Sequence, residues 1–374
     1  MEIIYSVGAR FGGYGFGYTA YNIASRLHQK VALKKIIALT LNKNVCDWKK
    51  ILTMGLFGTL LEKCPNQVLR DNLFDFYASL RVEKCDIFHG WAHQALFSIK
   101  KAKNLNAITF IERASSHILT QQRLMREESE KLGIRRKAIP ELVIKKCLKE
   151  YRDADFICVP SRFVYDSFIE NGIDRNKLLM LPYGVDFEHF RPGEKSDDIF
   201  RVLYVGLISF RKGVRYLLEA WSRLNLKNAE LVLAGPILKE FKEVFRRYQS
   251  LPNIRYVGFA RNIENYYQQS SVLVLPSIED GFGLVVLEAM ACGIPVIVSN
   301  NVGARDVIED GKEGFMVPSA DIDSLIEKIE FFYRNPETLV LMGKAARLKA
   351  ECYSWNNTAE ILIEHYTEKC GKRK

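Results

Sequence analysis

The chain has 374 residues, of which 48% are hydrophobic and 26% charged, as is ordinary for a soluble globular protein. It has no apolar run of the roughly 20 residues that cross a bilayer, and we expect residues 1–5 to belong to a first strand and not to a signal peptide. We therefore expect a cytoplasmic protein with two domains, since single cores rarely grow beyond about 250–300 residues.

The net charge of +10 is confined to the first half of the chain. Residues 1–195 hold 31 Lys and Arg against 21 Asp and Glu, whereas residues 196–374 hold 23 of each. Such asymmetry suggests an anionic partner for the first half, namely a membrane surface, a phosphorylated lipid or nucleic acid. The first of these would make the protein peripheral on the inner face of the membrane. A solvated basic surface without a partner explains the charge equally well.

Cysteines and histidines give no sign of a disulfide framework or a metal centre. The eight cysteines, from Cys46 to Cys370, include no CxxC pair, and the six histidines include no HExxH pair. We expect reduced thiols and no metal site.

Short apolar runs alternate with amphipathic stretches along the whole chain, a pattern typical of α/β proteins with parallel sheets. In the first half we expect a strand at 2–7, a helix at 18–29 and further strands at 86–89, 107–111 and 156–160. The stretch 113–150 predicts one or two exposed helices.

Residues 8–17 place five glycines between the first strand and the first helix. Residues 15–20 fit the GxGxxA variant of a dinucleotide-binding loop, but residues 36–42 lack the acidic residue that such sites need. A nicotinamide enzyme is therefore disfavoured.

Residues 51–61 are unusually apolar for a segment with two glycines. They are interpreted either as a buried helix and turn or as a loop that touches a lipid or a hydrophobic acceptor.

The polar, turn-rich run at 190–199 is the best domain boundary. We expect an N-terminal domain over 1–190, a linker at 191–199, a C-terminal domain over 200–352 and a final helix over 353–374. In the second domain, strands are predicted at 200–206, 230–234, 254–257, 272–275, 294–298 and 314–317. Helices are predicted at 213–224, 237–249, 262–269, 284–291 and 321–333.

Residues 276–299 (PSIEDGFGLVVLEAMACGIPVIVS) carry the main chemical signal. A strand ends at Pro276, a loop follows with Gly281 and Gly283, and an apolar helix begins near Gly283. Free amides and the positive end of a helix dipole then meet at one place, which suits a diphosphate.

Glu288 lies in that apolar helix, where a carboxylate is costly unless it is hydrogen-bonded. A ribose diol beside the diphosphate would supply two donors, and Asp280 could accept bonds from sugar hydroxyls. The alternative for Glu288 is an internal carboxylate bonded to backbone.

These residues resemble the E-x7-E motif of retaining glycosyltransferases of GT-B fold, family 4. Residues 156–190, 206–221 and 301–318 are also similar to that family, in the family's order. The resemblance implies two Rossmann-like domains with parallel sheets that face a cleft, and a C-terminal helix that crosses back to the first domain. We expect the first domain to be the acceptor side and the second domain to bind the nucleotide sugar. It also implies transfer with retention in polysaccharide biosynthesis, from a UDP- or GDP-sugar to a glycan or lipid-linked acceptor, with no metal and no further cofactor.

The resemblance assigns roles to individual residues. His117 is placed near the transferred sugar, with His89 and His93 as competitors, and Gly12 and Gly13 lie across the cleft from the donor. Donor contacts are assigned to Gly258, Phe282, Gly283, Leu284, Val285 and Glu288.

Two positions depart from the family pattern. Asp280 replaces the first glutamate of the motif, and Leu207 stands where the family often has an arginine. We expect Arg211 and Lys212 to offset charge on the leaving diphosphate, although without the resemblance they could be ordinary loop charges.

Rival functions of two classes remain. A nucleotide-sugar epimerase or a phosphorylase would keep the fold and change the reaction. A basic nucleic-acid-binding module gives residues 276–299 no role, so we expect no nucleic-acid partner.

Overall fold

The computed structural model describes residues 1–42, 50–134, 138–251 and 253–371. Cys46 and residues 372–374 of the predicted final helix lie outside these ranges. The described chain forms two parallel β-sheets, one from each half, surrounded by helices.

The first sheet has the strand order β3-β2-β1-β4-β5-β6-β7. Its strands are β1 (Glu2–Phe11), β2 (Ala32–Leu41), β3 (Ile51–Thr53), β4 (Ile87–Trp91), β5 (Ile108–Glu112), β6 (Phe156–Val159) and β7 (Leu178–Met180). The helices of this half are α1 (Phe16–Lys30), α2 (Gly55–Glu62), α3 (Gln67–Ser79), α4 (Leu96–Asn104), α5 (Ile118–Lys131), α6 (Glu141–Asp153) and α7 (Arg162–Glu170).

The second sheet has the order β10-β9-β8-β11-β12-β13. Its strands are β8 (Phe200–Val205), β9 (Ala229–Ala234), β10 (Ile254–Gly258), β11 (Val272–Leu275), β12 (Val296–Ser299) and β13 (Gly314–Val317). The remaining helices are α8 (Val214–Arg223), α9 (Lys242–Arg246), α10 (Ile263–Gln268), α11 (Leu284–Ala291), α12 (Ile322–Arg334), α13 (Pro336–Ala350) and α14 (Trp355–Gly371).

The strands are apolar on both faces because helices cover both sides of the sheet, as parallel sheets require. In β1, Ile3 and Tyr5 belong to one hydrophobic cluster and Ile4 to another. All three side chains are fully buried. The continuous apolar runs of the sequence therefore mark strands with two buried faces.

Each sheet has one place where the strand order reverses. It lies between β1 and β4 in the first sheet and between β8 and β11 in the second. Ligands of open α/β sheets bind in the crevice outside the carboxyl ends of strands at such a point. A binding site is therefore expected at the loops that follow these four strands.

The final helix α14 packs against α1 of the first half. Tyr366 is fully buried and its hydroxyl lies 2.7 Å from His89 Nδ1 at β4. Thr358 Oγ1 donates to the carbonyl of Pro182 over 2.8 Å. The last helix thus completes the core of the first half.

Two elements differ from the sequence expectation. The segment predicted as a helix at 237–249 is a 3₁₀ turn followed by the short α9, and its first residue, Ile237, instead forms a β-bridge with Ile208. The segment 51–61 forms β3 and α2, but Leu56, Phe57 and Leu60 are 87%, 51% and 69% exposed. Their exposure contradicts the interpretation of a fully buried helix.

Two further observations concern the described residues alone. Their seven cysteines form no disulfide bond. None of their helices combines the length and apolarity needed to span a bilayer.

Candidate active site

The turn after β8 carries Arg211 and Lys212 and packs directly on the loop after β11. Gly213 ends this turn with φ +64°, and a Cβ there would lie 1.8 Å from the carbonyl oxygen of Pro276. Glycine is therefore required by both backbone conformation and space. The amide of Ile278 donates to the carbonyl of Arg211 over 2.9 Å, which joins the two loops.

The two cations pair with two consecutive carboxylates. Arg211 Nη1 lies 3.0 Å from Glu279 Oε2, and Lys212 Nζ forms an ion pair with Asp280 Oδ2. Both carboxylates are buried, while both cations are partly exposed. Burial lowers the pKa of Lys212, and the charge of Arg211 lowers it further although Asp280 opposes both. Both cations are thus held in place, and Arg211 lines the cleft.

Glu279 also joins the two halves of the protein. Its Oε1 accepts bonds from the Ser116 amide at 2.9 Å and the Ser116 hydroxyl at 3.0 Å, and its Oε2 accepts from Gln121 Nε2 at 3.0 Å. Burial by itself would raise the pKa of Glu279, but Arg211 and the Ser116 amide outweigh it and hold the pKa below its usual value. Glu279 is therefore an ionised carboxylate that fixes the second-half loop against the first half.

The start of α11 follows at once. Gly283 is its N-cap, with φ +86°, and a Cβ at Gly281 would lie 2.1 Å from the Ala114 carbonyl oxygen. Neither position accepts a side chain without strain. The amides of Leu284 and Val285 belong to the first turn, which has no carbonyl one turn earlier to bond. Free amides at a helix start suit an anion, so the structure keeps Leu284 and Val285 in the position from which the sequence predicts contact with a diphosphate.

Glu288 lies one turn further along α11 and is half-buried. Tyr267 donates its hydroxyl proton to Glu288 Oε2 over 2.7 Å. Burial raises the pKa of Glu288 to about 7, although the bond from Tyr267 opposes the shift. Burial, and then the charge of Glu288, raise the pKa of Tyr18, which belongs to the first half. The Glu288 carboxylate can therefore accept further hydrogen bonds where the two halves of the protein meet.

The glycine loops of the two halves meet at the cleft mouth. Gly13 lines the cleft, and the next residue, Tyr14, has its ring edge-on to Phe259 with the centroids 4.8 Å apart. Gly12 has φ +74°, and Gly258, which precedes Phe259, has φ +66°. The loops after β1 and β10 thus face each other across the opening.

Two predicted site residues have side chains turned away from the cleft. Phe282 is buried, and its ring packs 5.4 Å from that of Tyr183. The His117 ring packs between Tyr151 and Phe168, with centroids 5.0 and 4.9 Å away. Burial and then the charge of Arg113 lower the pKa of His117 to about 4, so the ring is neutral. The geometry does not bring His117 together with the other predicted residues.

The two competing histidines occupy different environments. His89 is fully buried and contacts Glu112 at 3.2 Å as well as Tyr366, so it is a core residue. His93 lines the cleft instead. The cleft has a volume of about 740 Å³ and is bordered mainly by the first half, with Arg211 from the second.

Sequence reasoning missed Arg113 and Gln121. Arg113 Nη2 donates to Gln121 Oε1 over 2.9 Å, and Gln121 in turn bonds Glu279. Arg113 is buried and lines the cleft. Its position directly after β5 is the one signal that could have identified it.

Comparison with known proteins agrees with this arrangement. Residues 185–349 match the family model described as Glycosyl transferases group 1. The D-inositol 3-phosphate glycosyltransferase of Paenarthrobacter aurescens is 30% identical over 216 residues, which are 53% of this chain and 53% of that protein. The sulfoquinovosyl transferase SQD2 of Arabidopsis thaliana is 29% identical over 58% of this chain and 45% of its own. The chain thus spans about half the length of the curated relatives it matches.

Solved structures resemble the chain over nearly its whole length. Sucrose-phosphate synthase from Thermosynechococcus elongatus has a TM-score of 0.78 at 18% identity and covers 100% of both chains. Anabaena Alr3699/HepE in complex with UDP has a TM-score of 0.72 at 15% identity and covers 98% of this chain and 100% of its own. The predicted GT-B fold is therefore confirmed, and the family match supports the predicted relationship to group 1 glycosyl transferases.

Proposed function

We propose that this protein is a glycosyltransferase that moves a sugar from a nucleotide sugar to a glycan or lipid-linked acceptor with retention of configuration. The observation that carries the proposal is the pairing of Arg211 and Lys212 with Glu279 and Asp280 beside the start of α11. Fixed cations and free helix amides then face the place where a diphosphate would gain charge as it leaves.

Each residue has one task in this proposal. The amides of Leu284 and Val285 bind the diphosphate, Glu288 accepts the ribose hydroxyls and Asp280 accepts a hydroxyl of the sugar. The bond from the anomeric carbon to the diphosphate breaks, and the acceptor oxygen bonds that carbon on the face that the diphosphate leaves. The proton of the acceptor hydroxyl passes to the departing diphosphate oxygen. Arg211 and Lys212 stabilise the released charge, so the proposal requires neither a metal ion nor another cofactor.

The complexes of Anabaena HepE with UDP and UDP-glucose support a UDP-sugar as donor, with a GDP-sugar as the alternative. A panel of UDP-, GDP-, ADP- and CMP-sugars tests this by thermal shift. We expect one nucleotide to raise Tm by several degrees, since a ligand at 100 times its Kd stabilises by about 2.7 kcal/mol. No shift with any nucleotide would contradict the proposal.

The products separate the proposal from its rivals. Incubation with the stabilising nucleotide sugar should release free sugar and nucleoside diphosphate slowly, as water replaces the acceptor. An epimerised sugar would identify an epimerase, and turnover that depends on added phosphate would identify a phosphorylase.

The pKa of Glu288 predicts a pH-dependent donor affinity. Only the ionised carboxylate accepts two ribose hydroxyls, and with a pKa of about 7 roughly a tenth of it is ionised at pH 6. Since apparent affinity scales with the competent fraction, Kd should fall about tenfold from pH 6 to pH 8. Calorimetric titration with the stabilising nucleotide sugar measures this.

The matched variant is Glu288→Gln, which keeps shape but does not titrate. Its Kd should be weaker than that of the wild type at pH 8 and flat between pH 6 and pH 8. A flat wild-type profile, or an equally steep profile in the variant, would show that Glu288 does not contact the donor.

We also propose that α2 attaches the protein to an anionic membrane surface. Leu56, Phe57 and Leu60 expose a continuous apolar face, and the half of the chain that carries them holds the whole excess of positive charge. An apolar helix face together with basic residues is the combination that binds the interface of anionic bilayers.

Replacement of Leu56, Phe57 and Leu60 by serine should lower co-sedimentation with phosphatidylglycerol vesicles at least fivefold, since each buried side chain contributes about 1.5–3 kcal/mol. The control replaces the equally exposed Leu341 and Leu348 of α13 by serine and should bind as the wild type does. Absence of wild-type binding, or equal binding by the α2 variant, would refute the membrane proposal.

A further inference from the structure

The first-half wall of the cleft contains a polar corner with no role in donor binding. It lies at the reversal of strand order between β1 and β4, and consists of Asp71 on α3 and His93 and Gln94 in the loop after β4. All three residues line the cleft. Asp71 and His93 also border an adjoining cavity of about 10 Å³, the space of a single oxygen atom.

Asp71 is only 3% exposed, yet one oxygen of its carboxylate lacks a hydrogen bond of normal geometry from the described residues. Its Oδ1 accepts bonds from Gln94 Nε2 at 3.2 Å and Arg70 Nε at 3.4 Å. Its Oδ2 is buried and accepts no hydrogen bond of normal geometry from the residues that the structure describes, although the nearby Gln67 amide helps to lower the pKa of Asp71 against the effect of burial. Buried carboxylate oxygens are normally satisfied, so this one indicates a missing donor.

Gln94 fixes the position of Asp71. Gln94 Oε1 accepts from the Gly8 amide at 2.8 Å, and Gln94 Nε2 donates to the Gly8 carbonyl over 3.2 Å. A Cβ at Gly8 would lie 2.5 Å from Gln94 Cδ. The end of β1 and the loop after β4 are therefore locked together, and Asp71 Oδ2 is held before any ligand arrives.

His93 is held just as firmly, in a conformation that is rare for its residue type. Its φ of +78° is in the left-handed region. Glu150 accepts bonds from the His93 amide at 2.6 Å and the Ala95 amide at 2.9 Å and thereby holds this loop. Strain of this kind persists where the surrounding structure imposes it, and it concentrates at binding sites.

The bonds of His93 determine which ring nitrogen carries its proton. Arg113 Nη1 faces His93 Nε2, and a guanidinium can only donate. Nε2 is therefore the acceptor and the proton is on Nδ1. Burial and then the charge of Arg113 lower the pKa of His93, so the ring stays neutral. Nδ1 is buried without a partner in the described part of the chain.

We propose that this corner binds one hydroxyl of a polyhydroxylated acceptor, a sugar or a cyclitol. The hydroxyl donates to Asp71 Oδ2 and accepts from Nδ1–H of His93. A hydroxyl is the neutral group that does both at one oxygen, and the corner offers one acceptor and one donor. The inference rests on the proposed function, because it assigns the first-half wall of the same cleft to the acceptor.

Saturation-transfer NMR tests the proposal with three probes, methyl α-D-glucopyranoside, methyl α-D-mannopyranoside and myo-inositol, in the presence of UDP. We expect transfer to at least one probe in the wild type and a loss of at least fivefold in Asp71→Asn. This substitution replaces the carboxylate by a neutral amide, so the corner loses its charged hydrogen-bond acceptor. The UDP Kd, measured by calorimetry, should stay within twofold.

The control is Glu141→Gln, which removes an exposed carboxylate outside the cleft. It should leave both the transfer to the probes and the UDP Kd as in the wild type. Asp71→Asn keeps an acceptor for Gln94 and removes a charge whose burial raises the pKa of Asp71, which offsets the weakened pair with Arg70, so Tm should stay or rise. If its Tm falls, His93→Asn replaces it as the test, since asparagine tolerates the left-handed conformation and removes the Nδ1 donor.

Transfer to the probes that is as strong in Asp71→Asn as in the wild type would overturn the inference, and so would equal transfer in His93→Asn where that variant replaces it. Absence of transfer to any probe in the wild type would overturn it too. A water molecule that merely fills the corner would give the first of these results. Failure to bind UDP with probe transfer intact would instead count against the proposed donor site.

Discussion

Lys212→Ala should lower turnover about 10²–10³-fold, the usual cost of removing one fixed group that stabilises charge in the transition state. Lys212 is held against Asp280 beside the start of α11, so its ammonium is already in place when the diphosphate leaves. The helix amides remain in the variant, and the donor Kd should therefore change only a few-fold. Initial rates at saturating donor separate turnover from binding.

The variant leaves the buried Asp280 without its partner, and some stability should be lost. Thermal scans must therefore show that the variant is folded at the assay temperature. Lys242→Ala, which removes an exposed lysine from α9, is the matched control and should keep full activity. Turnover of Lys212→Ala within threefold of the wild type would remove Lys212 from the mechanism.

Glu279→Ala should lower the free energy of unfolding by about 3–5 kcal/mol, the cost of breaking a buried ion pair by removing one partner. Arg211, Ser116 and Gln121 all lose an acceptor at once. A domain of this size loses about 2–4 °C of Tm per kcal/mol, so a fall of roughly 10 °C is expected in calorimetric scans. Activity should fall too, because Arg211 is no longer oriented.

An exposed ion pair within the same chain provides the control. Glu309 pairs with Lys312 over 3.0 Å, and both side chains are more than half exposed. Such pairs contribute about 0–1 kcal/mol, so Glu309→Ala should hardly move Tm. Similar shifts in the two variants would show that Glu279 does not join the halves of the protein.

The parts of the site that depend on local sequence were predictable. A glycine at position 283 allows the left-handed conformation that this N-cap adopts in the structure. The apolar run predicts α11 over residues 284–291, the same residues that the structure shows. Both features arise from neighbouring residues, because φ preference and helical periodicity are local properties. The turn with Arg211 and Lys212 was identified by its resemblance to a family.

Contacts between distant residues were not predictable in this way. Glu279 and Ser116 form a hydrogen bond although they are 163 positions apart, and no local sequence pattern in either segment indicates this pairing. The position of His117 after an inner strand suggested the cleft, but the turn at 113–116 makes it the N-cap of α5 and directs its ring into the core. The exposure of Leu56 and Leu60 was equally hidden, since an apolar helix has the same composition whether it is covered or not.

The position of α14 has a consequence for the order of events during synthesis. Tyr366 packs 4.8 Å from Phe110, and Ala359, Leu362 and Tyr366 are fully buried. The ribosome therefore releases the whole first sheet long before the segment that covers one of its faces. Domains generally fold as they emerge, from the N-terminus onward. Here the first half must wait with an uncovered apolar face until residues 355–371 are made, so the predicted linker at 191–199 does not separate two independently folding pieces.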